Sequence, residues 1–114
     1  MNLNELATAV KNNLPIVIIL MNNGVLGMVR QWQTLFFNQH YSQTTLERQT
    51  DFVKLAEAFG ATGLRIEKED EIEAVMKQAF EVKGTVVVDC HIDMDDKVFP
   101  MIPPNKAVSD LILK

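Results

Sequence analysis

Only one cysteine stands in the chain, Cys90, within the apolar run Val86-Val-Val-Asp-Cys90. No internal disulfide can form, and a reducing compartment is expected. Long apolar stretches are missing as well. Ile16 to Met21 falls far short of the roughly 20 residues a membrane span needs, and Met1-Asn-Leu-Asn-Glu5 lacks the basic and apolar regions of a secretory signal. Basic residues make no stripe interleaved with aromatics, and the net charge is −4 with a pI near 5.1. That balance argues against nucleic acid as a partner. The expectation is a cytoplasmic protein that binds neither membrane nor nucleic acid.

Metal-binding patterns of the usual kinds are absent too. His91 follows Cys90, but no second cysteine or histidine stands near to complete a zinc site. Asp89, Asp93, Asp95 and Asp96 crowd the same stretch without the glycine and closing glutamate of a calcium loop, and read as a solvated strand end. His40, in Asn38-Gln-His-Tyr41, reads as a surface histidine, and Glu67-Lys-Glu-Asp-Glu71 as a charged helix entry. No internal repeat or low-complexity linker interrupts the chain.

What remains is 114 residues, 47% of them hydrophobic, enough for one domain with one core. Asn2 and Glu5 form a capping-box pattern ahead of Leu3, Leu6, Ala7 and Val10, predicting a helix over about 3–12. Pro15 cannot extend it. Ile16 to Met21 is continuously apolar, which predicts a strand buried on both faces. Val25, Met28, Val29, Trp32, Leu35 and Phe36 recur at helical period, predicting a second helix to about Phe37 with that stripe as its apolar face. The polar stretch from Asn38 to Thr50 reads as a loop.

Asp51 is a cap for a third helix, with Phe52, Leu55, Ala56 and Phe59 inward and Gly60 as its stop. Ala61 to Glu67 is a strand candidate. A fourth helix starts at Asp70, with Ile72, Val75, Met76, Ala79 and Phe80 inward and Gly84 ending it. Thr85 to Ile92 is a clear strand, Phe99-Pro-Met-Ile-Pro-Pro104 is extended, and Lys106 to Leu113 is a candidate closing helix. Helices alternating with strands give an α/β fold, a parallel sheet flanked by helices. Three strands make a thin sheet, so the fold is expected to be cut from something larger, with apolar surface left open for self-association.

The first strand runs into Asn22-Asn-Gly-Val-Leu-Gly-Met-Val-Arg-Gln-Trp-Gln33. Amide side chains are thereby placed at the carboxyl edge of a parallel sheet, where ligands bind in such folds. The next helix directs its free N–H groups and positive dipole end to the same region, which suits a phosphate. An asparagine oxygen also suits Mg²⁺, which takes oxygen ligands and often shares them with a phosphate. From the residues alone two readings stand: a magnesium–diphosphate site, or a loop with good turn and capping residues. Met28, Val29 and Trp32 are likewise open between core packing and a ligand-facing wall, although Trp32 beside Arg30, Gln31 and Gln33 suits a partly exposed position.

Met1-Asn-Leu-Asn-Glu-Leu-Ala-Thr-Ala9, the strand, and Met21-Asn-Asn-Gly-Val-Leu-Gly-Met-Val-Arg-Gln-Trp-Gln33 resemble the thiamine-diphosphate-binding domain of acetolactate synthase large subunits. Phe99-Pro-Met-Ile-Pro-Pro104 is similar to that family's C-terminal stretch, so the resemblance spans essentially all of residues 1–114. The cofactor motif of the wider superfamily opens on Gly-Asp-Gly and closes on Asn-Asn; only its second half is here, without the magnesium-binding aspartate. The resemblance implies the C-terminal portion of a thiamine-diphosphate-binding domain, a truncated form of that fold. It further implies that Asn23 gives a side-chain oxygen and Val25 a backbone carbonyl to Mg²⁺. Gly24, Gly27 and Met28 would line thiamine diphosphate, and Met28, Val29, Trp32 and Pro104 the substrate channel. Asn105 departs from the family's usual glycine.

The implied activity condenses pyruvate with a second 2-ketoacid in branched-chain amino-acid biosynthesis. The glutamate that activates the cofactor is supplied by a second subunit, and FAD binds outside this segment. The isolated chain is expected to be inactive. Two other readings stay open: a non-catalytic interaction module that kept the fold, and another thiamine-diphosphate carboligase or decarboxylase, which Arg30-Gln-Trp-Gln33 disfavours.

Overall fold

The computed structural model describes residues 3–47 and 50–113. The Asn2 half of the expected capping box lies outside them. The chain divides into two compact units, one from residues 1–23 and 47–92, the other from 24–46 and 93–114.

The first unit carries the sheet. Its elements are α1 (Glu5–Lys11), β1 (Val17–Asn22), α3 (Phe52–Ala58), β2 (Thr62–Ile66), α4 (Ile72–Glu81) and β3 (Val86–His91). The strands are all parallel, in the order β1-β3-β2. The last strand in sequence is therefore central, and its β-branched Val86 and Val88 are fully buried against Ile66 and Ala79. On the opposite face Val87 packs with Leu6, Ala56 and Ala61 of the α1–α3 side. Asp51 caps α3 as the sequence predicts, its carboxylate accepting from the Val53 and Lys54 N–H groups at 3.1 and 3.3 Å. The helix lies so close to β2 that a Cβ on Gly63 would stand 2.6 Å from the Val53 carbonyl oxygen, so only glycine fits there.

Three expectations fail here. β1 is not buried on both faces: Ile18, Ile19 and Met21 are exposed, Met21 to 59%. The strand is at the edge of the sheet, and α3 and α4 pack toward β2 and β3. For the same reason Ile72 and Phe80 of α4 do not point inward. A narrow sheet covers only the Val75–Met76–Ala79 strip, leaving Phe80 72% exposed. The stretch Asp89 to Asp96 is also more than a solvated strand end, because Asp89 is only 1% exposed.

The second unit is built on α2 (Gly27–Phe36), which begins two residues later than the apolar period suggests. Val25 belongs instead to an isolated antiparallel bridge with Thr45. The predicted closing helix over 106–113 shrinks to a single 3-10 turn at Val108–Asp110. There the Asp110 side chain accepts from the Ala107 N–H at 3.1 Å. Met101 and Ile112 then exchange backbone hydrogen bonds of 2.9 and 2.8 Å, which holds the chain extended where a helix would have to run.

Candidate cofactor site

At the carboxyl end of the sheet, all three strands contribute to one polar cluster within the first unit. Asp89 lies in register with Leu20 on β1 and Arg65 on β2. A carboxylate buried in a central strand is unfavourable unless it is paired. Asp89 has three partners. Asn22 Nδ2 donates to Oδ1 at 2.9 Å, Arg65 Nε donates to Oδ2 at 3.2 Å, and His91 Nε2 lies 3.2 Å from Oδ2. Arg65 also donates through Nη2 to Asp51 at 2.9 Å, so the cluster is tied to the cap of α3. Burial works to lower the pKa of the Arg65 guanidinium, but the hydrogen bond to Asp89 and the charges of Asp51 and Asp89 outweigh it and raise the pKa. The backbone N–H of Lys54 holds the Asp51 carboxyl below the ordinary range against some desolvation, with Arg65 adding to the effect.

Sequence reasoning placed Asp89 among solvated acids and so missed this hub. The signal was present: a charge inside Val86-Val-Val-Asp-Cys90 has to find a partner once that strand becomes central.

Asn23, half-buried, follows β1 directly and closes the first unit. In the second unit, Gly24 has φ +67, and a Cβ there would meet nothing within 4 Å. The requirement is for left-handed backbone rather than for space. The Val25–Thr45 bridge uses its neighbours' groups, with Leu26 N–H donating to Thr44 O and Leu46 N–H to Gly24 O, both at 2.8 Å. Val25 and Thr45 thus face each other between those two hydrogen bonds. Val25 is 5% exposed.

The helix α2 starts at Gly27 after Leu26, which gives no side-chain cap. Its first-turn N–H groups and dipole are therefore available to an anion. The Thr44 hydroxyl, in the segment bonded to Leu26, is buried with no hydrogen-bond partner among the described residues.

The stripe of α2, which the residues alone leave open between core and wall, is largely exposed. Gln31 is the buried residue, 3% exposed, whereas Met28, Val29, Trp32 and Phe36 are exposed. The Gln31 amide donates to Val98 O at 3.0 Å and accepts from Val98 N–H at 2.8 Å, fixing the 97–101 stretch on the helix. No sequence signal marked Gln31, since glutamine on a helix is ordinarily solvated. Arg30 is held beside it by a bidentate pair with Asp95, at 2.8 and 3.1 Å, and lies 4.0 Å from the Tyr41 ring centre. That hydrogen bond lowers the Asp95 pKa and raises the Arg30 pKa.

On the outer face, Trp32 meets Phe36 edge-on at 6.0 Å. Met28, Val29, Trp32, Gln33, Phe37 and His40 line an open concavity of about 440 Å³. His40, expected as a plain surface histidine, is exposed but forms part of this wall. Pro104 is exposed elsewhere in the same unit and is not among the lining residues.

The residues fit the expected ligands. An amide oxygen and a main-chain carbonyl are the hard oxygen donors Mg²⁺ takes, and an uncapped helix start is a diphosphate receptor.

Residues 1–90 match the family described as thiamine pyrophosphate enzyme, C-terminal TPP binding domain. The acetolactate synthase large subunit of Haemophilus influenzae is 42% identical over 114 residues, covering 99% of this chain and 20% of that protein. The isozyme 2 large subunit of Escherichia coli is 41% identical, with 100% and 21% covered. The mitochondrial catalytic subunit of Saccharomyces cerevisiae is 39% identical over 112 residues, with 98% and 16% covered. This chain thus spans about a fifth of the length of such relatives. A thiamine diphosphate-dependent 4-hydroxybenzoylformate decarboxylase from Rhodococcus jostii RHA1 shares the fold, with a TM-score of 0.71 over 80% of this chain and 17% of that one, at 23% identity. By the match over most of its length, the chain belongs to the thiamine pyrophosphate enzymes, as their C-terminal TPP-binding domain.

Proposed function

We propose that this chain is the diphosphate-anchoring segment of an acetolactate synthase catalytic subunit, acting in the cytoplasm in branched-chain amino-acid biosynthesis. The observation that carries the reading is the start of α2 at Gly27, where Leu26 gives no side-chain cap. It occurs in a chain 42% identical to a fifth of such a subunit, over 99% of the chain's own length. Thiamine diphosphate, when bound, supplies the electron sink for decarboxylating pyruvate and joining the two-carbon unit to a second 2-ketoacid.

The chain's own contribution is binding and orientation. Asn23 and Val25 offer oxygens to Mg²⁺, Gly24 sets the turn, and Gly27 and Met28 present first-turn N–H groups to the diphosphate. Met28, Val29 and Trp32 form an apolar wall for the second 2-ketoacid, and Pro104, which does not line that concavity, is left out of it. The activating glutamate comes from a neighbouring subunit and the FAD site from another domain. Apolar β1 and the outer face of α2 are the surfaces those parts would cover.

The test is calorimetric titration of Mg²⁺ with saturating thiamine diphosphate, in the subunit that contains this segment. Asn23→Ala should weaken Mg²⁺ binding at least tenfold, while the isolated chain given pyruvate and both cofactors should yield no acetolactate. Unchanged Mg²⁺ affinity in the variant, or acetolactate from the isolated chain, would overturn the proposal.

A further inference from the structure

Asp89 plays no part in the anchoring described above, yet it touches the residue next to the proposed metal ligand. We infer that Asp89 is a positioning residue for Asn23, acting through Asn22, an inference that rests on the reading of Asn23 as a magnesium ligand.

Among the described residues β1 is an edge strand with β3 as its single neighbour. Its last residue would be poorly fixed by the backbone ladder alone, because edge strands and strand ends open most easily. Asn22 is held twice instead. Its carbonyl accepts from the Ile92 N–H at 3.1 Å, and its side chain donates to Asp89 Oδ1 at 2.9 Å. Asp89 cannot swing away, because its other oxygen is engaged by Arg65 and His91. Arg65 is in turn locked to the α3 cap through Asp51. Contacts therefore run from α3 through β2 and β3 to the residue before Asn23.

A metal site tolerates only about half an ångström of looseness in its ligands. Residues that orient ligands from behind typically change metal affinity by about 10- to 100-fold when removed. Asp89 is suited to such a role, being buried, charged, and bonded directly to the neighbour of the ligand.

The experiment compares Asn22→Ala, Asp89→Asn and Asn23→Ala in the subunit that contains this segment. Mg²⁺ affinity is read by calorimetry at saturating thiamine diphosphate, with kcat and thermal unfolding measured alongside. Asn22→Ala leaves the Asp89–Arg65 pair in place, so it decides the matter if Asp89→Asn does not fold. The expected result is about a tenfold rise in the Mg²⁺ half-saturation concentration for both Asn22→Ala and Asp89→Asn, with kcat at saturation moving much less.

If Asn23→Ala loses Mg²⁺ while Asn22→Ala and Asp89→Asn bind it within about twofold of the parent, the inference is overturned and the reading of Asn23 stands. A fall in melting temperature without a change in Mg²⁺ affinity overturns it equally, since that marks a purely structural role. If Asn23→Ala itself binds Mg²⁺ normally, the ligand reading fails, and the positioning role with it.

Discussion

Gln31 and Val98 exchange two hydrogen bonds, 3.0 Å from the side-chain amide to the carbonyl and 2.8 Å from the backbone N–H to the amide oxygen. A glutamine thereby copies the hydrogen-bond pattern of a neighbouring strand. Gln31→Ala removes both bonds and should destabilise the protein by about 2 kcal/mol, near the loss expected for two ordinary hydrogen bonds. Urea unfolding measures the change. Limited proteolysis should then cut residues 93–114 first, because only the exposed Arg30–Asp95 pair still joins Asp95 to α2 once the Gln31–Val98 bonds are gone.

The exposed face of α2 behaves differently. Trp32 is open to solvent and touches Phe36 only edge-on, so Trp32→Leu should alter stability by less than about 1 kcal/mol. Its effect should fall on selectivity. With pyruvate competing against 2-ketobutyrate for the second position, the product ratio in the parent enzyme should shift by about tenfold, the lower end of what one apolar contact can discriminate. An unchanged ratio would count against the wall.

Acid should weaken the α3 end of the molecule. The Asp51 carboxyl is held below its ordinary value of 3.8, first by the Lys54 N–H and then by the Arg65 charge. A depressed native pKa gives stability that is fully present above the unfolded value and lost as pH falls through the native one. Asp51→Asn keeps an acceptor for the cap but no charge. Its urea midpoint should therefore fall less steeply than the parent's below pH 3.8; parallel curves would refute the assignment.

The open edge of β1 invites pairing with another chain. Ile18, Ile19 and Met21 are all exposed there. The isolated chain should show concentration-dependent sedimentation, and Ile19→Lys should suppress it by placing a charge on the apolar face of the strand. A single monomer boundary for the parent chain at every concentration would remove the premise.

Local order was legible in the sequence wherever a few adjacent residues determine it. Asp51 caps α3 because a carboxylate reaches two N–H groups only a turn away. The three strands appear within about a residue or two of their expected ends because β-branched runs between helix stops have few alternatives. The expected run of α2 was right, but which side of it is buried stayed open, since an apolar stripe cannot say whether anything in the chain covers it. Only the tertiary structure put Gln31 inward against Val98, β1 at an edge, and Asp89 among Asn22, Arg65 and His91. Those outcomes depend on partners up to 67 residues away in the chain, and hydrogen bonding and burial at that separation leave no periodic trace in the residues themselves.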